Sequence, residues 1–294
     1  MRTIVLFSLL SAAALFAFGQ ATHMQSWMDR GKREYRLSHF VEAATNFQKA
    51  VTENPSDVNA RLFLASAHTL QYTPGEESEE NRRQLSKARA EYKAVLQLDP
   101  ANQQALSALA TLSFYETYSL LDEAARAEKL DEARDFARRL AGAHPSMKEG
   151  HYLVGAFAEQ KWNLADPKAR GELGGTLDEG IGAMRRALEI DSADTDAMRY
   201  LSMMLRQRAD LRNTAAEHEQ EIAEADRWEK QAADLERKRR PTSLTSATVL
   251  HEQDNSISFD VNPQALHQAE TLILPFSLPP PPPPLRPPPP PPSR

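Results

Sequence analysis

The chain has 294 residues, 26% of them charged, a net charge of −6, 20 prolines and no cysteine. The acidic balance argues against a broad nucleic-acid footprint. Without cysteine, disulfides, thiol catalysis and a lipid-modified cysteine behind a leader are all excluded.

Residues 1–19 read MRTIVLFSLLSAAALFAFG, a charged start at Arg2, an apolar run from Ile4 to Phe18, and small residues at Ala17 and Gly19. This pattern predicts a secretory signal peptide over 1–21, cut before Gln20 or before Thr22. The apolar run is about 15 residues long, short of the roughly 20 that span a bilayer. An uncleaved N-terminal anchor is the alternative. The expected address is the periplasm, with secretion beyond it as the second reading and no integral membrane span left after cleavage.

From 22 to 240 the chain is periodic. FVEAATNFQKAVTENP (40–55), LSKARAEYKAVLQLDP (85–100), LDEARDFARRLAGAHP (130–145) and LDEGIGAMRRALEIDS (177–192) end on Pro55, Pro100, Pro145 and Ser192, spaced by 45, 45 and 47 residues. A period of this size predicts stacked supersecondary units. Ala43, Ala88, Ala133 and Gly180 supply a small residue where two helices would cross. Phe47, Tyr92, Ala137 and Met184 follow four later, and Ala50, Val95, Leu140 and Ala187 three after that, all on one helical face. The prolines cannot continue a helix and so end each stretch.

Each unit resembles a tetratricopeptide repeat, a pair of antiparallel helices of about 34 residues. From Met24 to Asp57 the length fits without gaps, with Trp27, Gly31, Phe40, Ala43, Phe47, Ala50 and Pro55 at the family's signature offsets. Glu34 stands where an aromatic is usual, with Tyr35 beside it. Four clear units and a degenerate fifth (195–240) imply an all-α fold, an α-solenoid of about five helix pairs. A long helix near 214–240 would close it, with Ile222, Ala225, Trp228, Ala232 and Leu235 along one side. The cations of Arg237–Arg240 suit the dipole at that helix's C-terminal end.

Units two, three and four exceed the 34-residue repeat by 11, 11 and 13 residues, and the surplus falls between the two helices of each pair. In unit two it includes the turn Tyr72–Gly75 and the acidic run Glu76–Glu80; in unit four, Asp166-Pro167 and Gly171 through Gly175. In unit three, Thr117–Ala127 lacks Gly and Pro and predicts about three added helical turns. All three insertions would leave one edge of the stack, either as a binding edge or as tolerated loop growth.

No catalytic constellation stands out. The eight histidines form no i, i+4 pair; HExxH, GxSxG and the phosphate-binding GxxxxGK[ST] are missing. Gly171–Gly175 is glycine-rich but lacks the lysine that would reach phosphate. The sequence therefore predicts no enzyme, cofactor or metal site. It predicts a non-catalytic protein–protein interaction scaffold or adaptor of the bacterial cell envelope, binding a peptide or a folded protein and no nucleic acid. Alternatives are a self-assembling structural envelope protein and an accessory subunit of an envelope machine.

By the resemblance, the partner would lie on a concave groove lined by the first helix of each pair, or on the insertion edge. The groove residues carried over are Tyr35, Arg36, Asn59, Thr69, Gln104, Thr111, Phe114, Tyr115, Glu149, Tyr152, Gln160, Arg199 and Arg206, with Glu159 and Gln207 on the same wall. Phe114 and Tyr115 could instead pack under the insertion of unit three. The lysine–asparagine clamp some relatives use for tail carboxylates is not reproduced, since Met28, Leu62, Ser107, Tyr152 and Arg199 fill the fifth positions.

Beyond the repeats, 241–278 reads as a mostly irregular linker and 279–294 as a proline-rich tail, PPPPPPLRPPPPPP followed by Ser-Arg. Such a run adopts polyproline II, reaching roughly 50 Å at about 3.1 Å per residue. It serves as a spacer or as an inert tail. Phe259 to Leu274 weakly resembles the lead-in to a TonB-type C-terminal domain, without the domain itself, which would make the chain a truncated relative of such proteins.

Overall fold

The computed structural model describes residues 23–120 and 122–239. The predicted signal peptide, linker and proline-rich tail lie outside them. Among the described residues the chain forms α-helices and two 3₁₀ turns, with no strand. The helices are α1 (residues 23–36), α2 (Phe40–Glu53), α3 (Val58–Thr69), α4 (Glu79–Leu98), α5 (Gln103–Glu116), α6 (Glu123–Ala143), α7 (Lys148–Leu164), α8 (Gly174–Ile190), α9 (Thr195–Ala209) and α10 (Ala215–Arg239). From α2 onward each packs on its neighbours in the chain, and α7 also touches α5 and α9. The result is an all-α solenoid of five helix pairs of the tetratricopeptide type, closed by α10.

The breaks between units are built from two residue types. Proline or serine stops the second helix, and two residues later Asp57, Asn102 or Asp194 caps the next first helix. Their side chains accept the N–H of Ala60, Ala105 and Ala197 at 2.9, 3.1 and 2.9 Å. Such caps stabilise by about 1 kcal/mol each. Unit four has Met147 in this place and no side-chain cap. Lys148 instead ties the start of α7 to the following turn, bonding Asp191 and Asp194 at 2.9 and 2.8 Å.

The crossing positions behave as the sequence predicts. Ala43, Ala88 and Ala133 are fully buried. A Cβ on Gly180 would sit 2.7 Å from Ala158 Cβ and 2.7 Å from Met204 Sδ, so only glycine permits this approach. Opposite, each first helix offers its own small residue: Gly31, Ala65, Ala110, Gly155 and Ser202 are all buried. Large side chains fill the layers between, among them Phe47, Phe114, Phe157, Leu130 and Met184. The buried apolar residues form three clusters that follow one another along the stack, the first two sharing α3 and the last two sharing α7.

Ion pairs hold the second helices in register. Arg89 on α4 reaches Glu132 on α6 at 2.6 Å, Arg134 on α6 reaches Glu179 on α8 at 2.8 Å, and Arg185 on α8 reaches Glu224 on α10 at 2.8 Å. Each glutamate immediately precedes a small buried residue: Ala133, Gly180 and Ala225.

The insertions differ from their sequence reading. In unit three no continuous helix forms. Thr117–Ser119 makes a 3₁₀ turn, Leu120 is extended, and Asp122 caps α6 by accepting the N–H of Ala125 at 2.7 Å. An aspartate that offers its carboxylate to the backbone starts a new helix without any Gly or Pro. In unit four, Gly174 and Gly175 belong to the first turn of α8, since Gly174 takes right-handed helical angles and buried Leu177 anchors that turn. The loop of unit two spans residues 70–78, so Glu79 and Glu80, expected in the loop, instead open α4, because Ser78 caps it by accepting the Asn81 N–H at 3.1 Å. Asn81 stitches the loop down, donating to the Thr73 and Glu76 carbonyls at 2.7 Å each and accepting from the Thr73 N–H at 2.7 Å.

Candidate functional site on the concave wall

Side chains link α1 to α3, α5 to α7 and α7 to α9; most hold wall positions of the repeat pattern, while Phe157 and Tyr200 do not. The Tyr35 and Ser66 hydroxyls share a 2.6 Å hydrogen bond between α1 and α3. Ser107 on α5 donates to Glu149 on α7. Phe114 on α5 stacks on Phe157 of α7, centroids 5.1 Å apart. Tyr152 on α7 meets Tyr200 of α9 edge to face at 5.7 Å. Burial pushes the hydroxyls of both of these tyrosines up, so they stay protonated at neutral pH.

The residues carried over from the repeat pattern divide by environment. Arg36 and Asn59 are exposed, and Gln104 is partly exposed. Thr69 is buried, donating to the Ala65 carbonyl at 2.9 Å, and Thr111 does the same to Ser107 at 3.1 Å. Phe114 and Tyr115 are buried, packing on Tyr118 of the unit-three insertion at 5.5 and 6.3 Å. Packing under the insertion, one of the two sequence readings, is thus what the fold does with them. Arg199 and Arg206 are drawn onto the closing helix, pairing with Glu236 and Asp226 at 2.6 Å each.

Gln160 leads to a cluster the sequence did not single out. Glu159 beside it is only 1% exposed. Its carboxylate accepts from Gln160 Nε2 at 3.2 Å, from Asn163 Nδ2, and from Gln207 Nε2 of α9 at 3.5 Å. All three donors are neutral amides, and among the described residues no Lys or Arg pairs with it. The Gln207 side-chain oxygen is buried without a partner. Glu159, Asp196 and Tyr118 all bear electrostatically on the Tyr200 hydroxyl, which brings the insertion of unit three into the same neighbourhood. Repeat offsets marked Glu159 and Gln207 as wall positions. Tyr118 has no repeat position, because it lies in an insertion, so no periodic signal could have found it.

Burial holds the Glu159 carboxyl above the usual carboxylate range, opposed by the Asn163 and Gln207 amides. The folded protein therefore binds this proton more tightly than the unfolded chain does. Its stability contribution is favourable at low pH and is lost as pH rises from the ordinary glutamate range through the raised value. Glu159→Gln is accordingly expected to be more stable than the parent at pH 7, with the gain shrinking towards pH 4. Thermal melts across pH 4–7.5 test this; a variant less stable than the parent at pH 7 would sink it.

A cleft of about 680 Å³ opens at the insertion edge of units two and three. Glu76, Glu77, Arg82, Arg89, Lys93 and Leu120 are among its walls. Among the described residues no group of His, Asp and Glu is arranged to hold a metal ion. No helix there is long and apolar enough to cross a membrane.

The ten helices, paired and stacked along the described residues, define a tetratricopeptide-type α-solenoid. Among solved structures the chain is similar to a crystal structure of MamA protein, with a TM-score of 0.54 and 16% identity over 78% of this chain and 100% of that one. The RS-1 ArsTM double mutant of MamA gives 0.54 and 15% over 74% and 97%, and a second MamA crystal structure 0.51 and 16% over 72% and 97%. At this identity the likeness is one of fold. No protein-family model and no curated protein matches the chain.

Proposed function

We propose that the protein is a non-catalytic interaction scaffold of the bacterial cell envelope, exported by its N-terminal segment, that binds a partner peptide or protein along the concave wall. The observation that carries this reading is the cross-linked wall. Hydrogen bonds and ring stacks join α1 to α3, α5 to α7 and α7 to α9. A surface held rigid in this way loses little entropy on binding. Arg36, Asn59 and Gln104 present polar groups on that wall without being needed for packing.

Affinity capture from the envelope fraction, with the mature chain as bait, tests the proposal. A partner held by the parent is expected to be lost by the triple variant Arg36→Ala, Asn59→Ala, Gln104→Ala, whose melting temperature should stay within a few degrees of the parent. If capture survives there and fails instead with Glu77→Ala, Arg82→Ala, Lys93→Ala, the partner sits in the insertion-edge cleft. Mass that grows with concentration in the absence of any partner would favour self-assembly.

A further inference from the structure

The wall formed by α7 and α9 carries a charge the fold does not satisfy. Glu159 is withdrawn from solvent, yet its donors are the amides of Gln160, Asn163 and Gln207. A buried carboxylate is ordinarily paired with a cation or protonated, because removal from water is costly. Cations are present nearby but committed elsewhere. Arg199 is held by Glu236, Arg206 by Asp226, and Lys161 by Asp131 at 2.5 Å. Beside the carboxylate lies a second acceptor without a donor, the buried side-chain oxygen of Gln207. The cluster thus has neutral donors for its carboxylate and no cation. Tyr200 of α9 feels the Glu159 charge, and Tyr152 meets Tyr200 edge to face at 5.7 Å. A buried carboxylate without a cation is the chemistry that receives an ammonium or guanidinium group. The net charge of −6 for the whole chain favours a basic partner at longer range.

We infer that the α7–α9 segment of the concave wall is a subsite for a lysine or arginine side chain of the bound partner, with Glu159 as its counter-ion and Gln207 as a second acceptor. The inference rests on the groove reading and gives the partner its chemistry. Asn163 is exposed and Gln207 half-buried, so on this reading the cation reaches the carboxylate from their side once the two amides turn away, the Gln207 amide then offering its oxygen. The incoming cation takes their place as donor, and the carboxylate gains the opposite charge it lacks in the free protein.

Acetyl-Ala-Arg-Ala-amide, acetyl-Ala-Lys-Ala-amide and acetyl-Ala-Glu-Ala-amide, titrated to millimolar concentration into the mature chain, are suitable probes, with amide NMR shifts of residues 156–163 and 200–207 as the readout. The basic peptides are expected to give saturable shifts there, and the acidic one none. Glu159→Gln should weaken the basic peptides at least tenfold while keeping the parent's spectrum elsewhere. Glu159→Met, which also removes the charge at similar length, should do the same if the amide variant is poorly folded. Equal affinity in a folded charge-free variant, equal binding of the acidic peptide, or no saturable shift at all would overturn the inference. The two proposals fail separately. If Glu159→Gln still captures the envelope partner and the Arg36, Asn59, Gln104 variant does not, the cation subsite falls and the groove stands. If neither variant affects capture, the groove reading itself falls.

Discussion

Phe157→Ala is expected to cost about 3–5 kcal/mol of stability, the usual range for removing a fully buried phenylalanine ring. Phe157 on α7 has no exposed surface. Its ring stacks on Phe114 of α5, centroids 5.1 Å apart and planes 27° apart, and Phe114 in turn meets Tyr118 edge to face. The substitution therefore opens a void between units three and four and also loosens the floor beneath the unit-three insertion. Neighbouring units of a solenoid depend on each other through such interfaces. A split denaturation profile, with units one to three and four to five melting apart, is a second expected sign. Urea titrations followed by circular dichroism and by tryptophan emission report both, since Trp27 lies in unit one and Trp162 and Trp228 in units four and five. A loss under about 1 kcal/mol with one coincident transition would show that the ring is not what couples these units.

The second large effect is expected at the closing helix. Glu221 on α10 is 8% exposed and grips two arginines, Arg208 of α9 at 2.8 Å and Arg212 of the turn at 2.5 Å. Their charges outweigh its burial and hold its carboxyl below the usual range. Glu221→Ala leaves both guanidinium groups short of a partner, although Arg208 keeps Asp178 at 2.7 Å. Breaking a buried pair from one side typically costs 3–5 kcal/mol; with Asp178 retained, about 2–3 kcal/mol is expected. The loss should be local, because among the described residues α10 packs mainly on α9 at the end of the stack. Hydrogen exchange should show α10 losing protection while α3 to α7 keep theirs. The pH dependence carries the opposite sign to that of Glu159. The stabilisation from a depressed carboxyl is full above the ordinary glutamate range and is lost as pH falls through the lowered value. Parent and variant should therefore converge in acid. Uniform loss of protection along the whole chain would contradict a local clamp.

How far the sequence reached follows from which residues repeat. Ala43, Ala88, Ala133 and Gly180 recur at a fixed interval because each must sit where two backbones nearly touch, and that demand marks fold and unit boundaries alike. The concave wall was legible for the same reason, since wall positions are defined by offset from the helix start. Offset does not report what a neighbouring helix does to a side chain. Arg199 and Arg206 occupy wall positions, but the carboxylates of α10 lie close enough to claim them. Phe114 and Tyr115 are wall residues by count and core residues by packing, because an insertion folds over them. The break at Leu120–Asp122 escaped notice since helix formers surround it, and one capping carboxylate outweighed their summed preference. Glu159 was visible as a position and not as an unpaired charge, which depends on every side chain within reach.

The arginine–glutamate ladder along the second helices has a consequence for how such an array changes length. Arg89 and Arg134 occupy the same place in units two and three, and Glu132 and Glu179 the same place in units three and four. Excising the 45 residues from 101 to 145 would set Arg89 opposite Glu179, with Pro100 joined to Ser146 in the same proline–serine step that Pro145 makes now. Like charges are not brought together at the new junction, and the small crossing residues stay in phase. Whole units are thus interchangeable parts whose joints carry matching polarity, and the stack can grow or shrink by one unit while its joints remain intact.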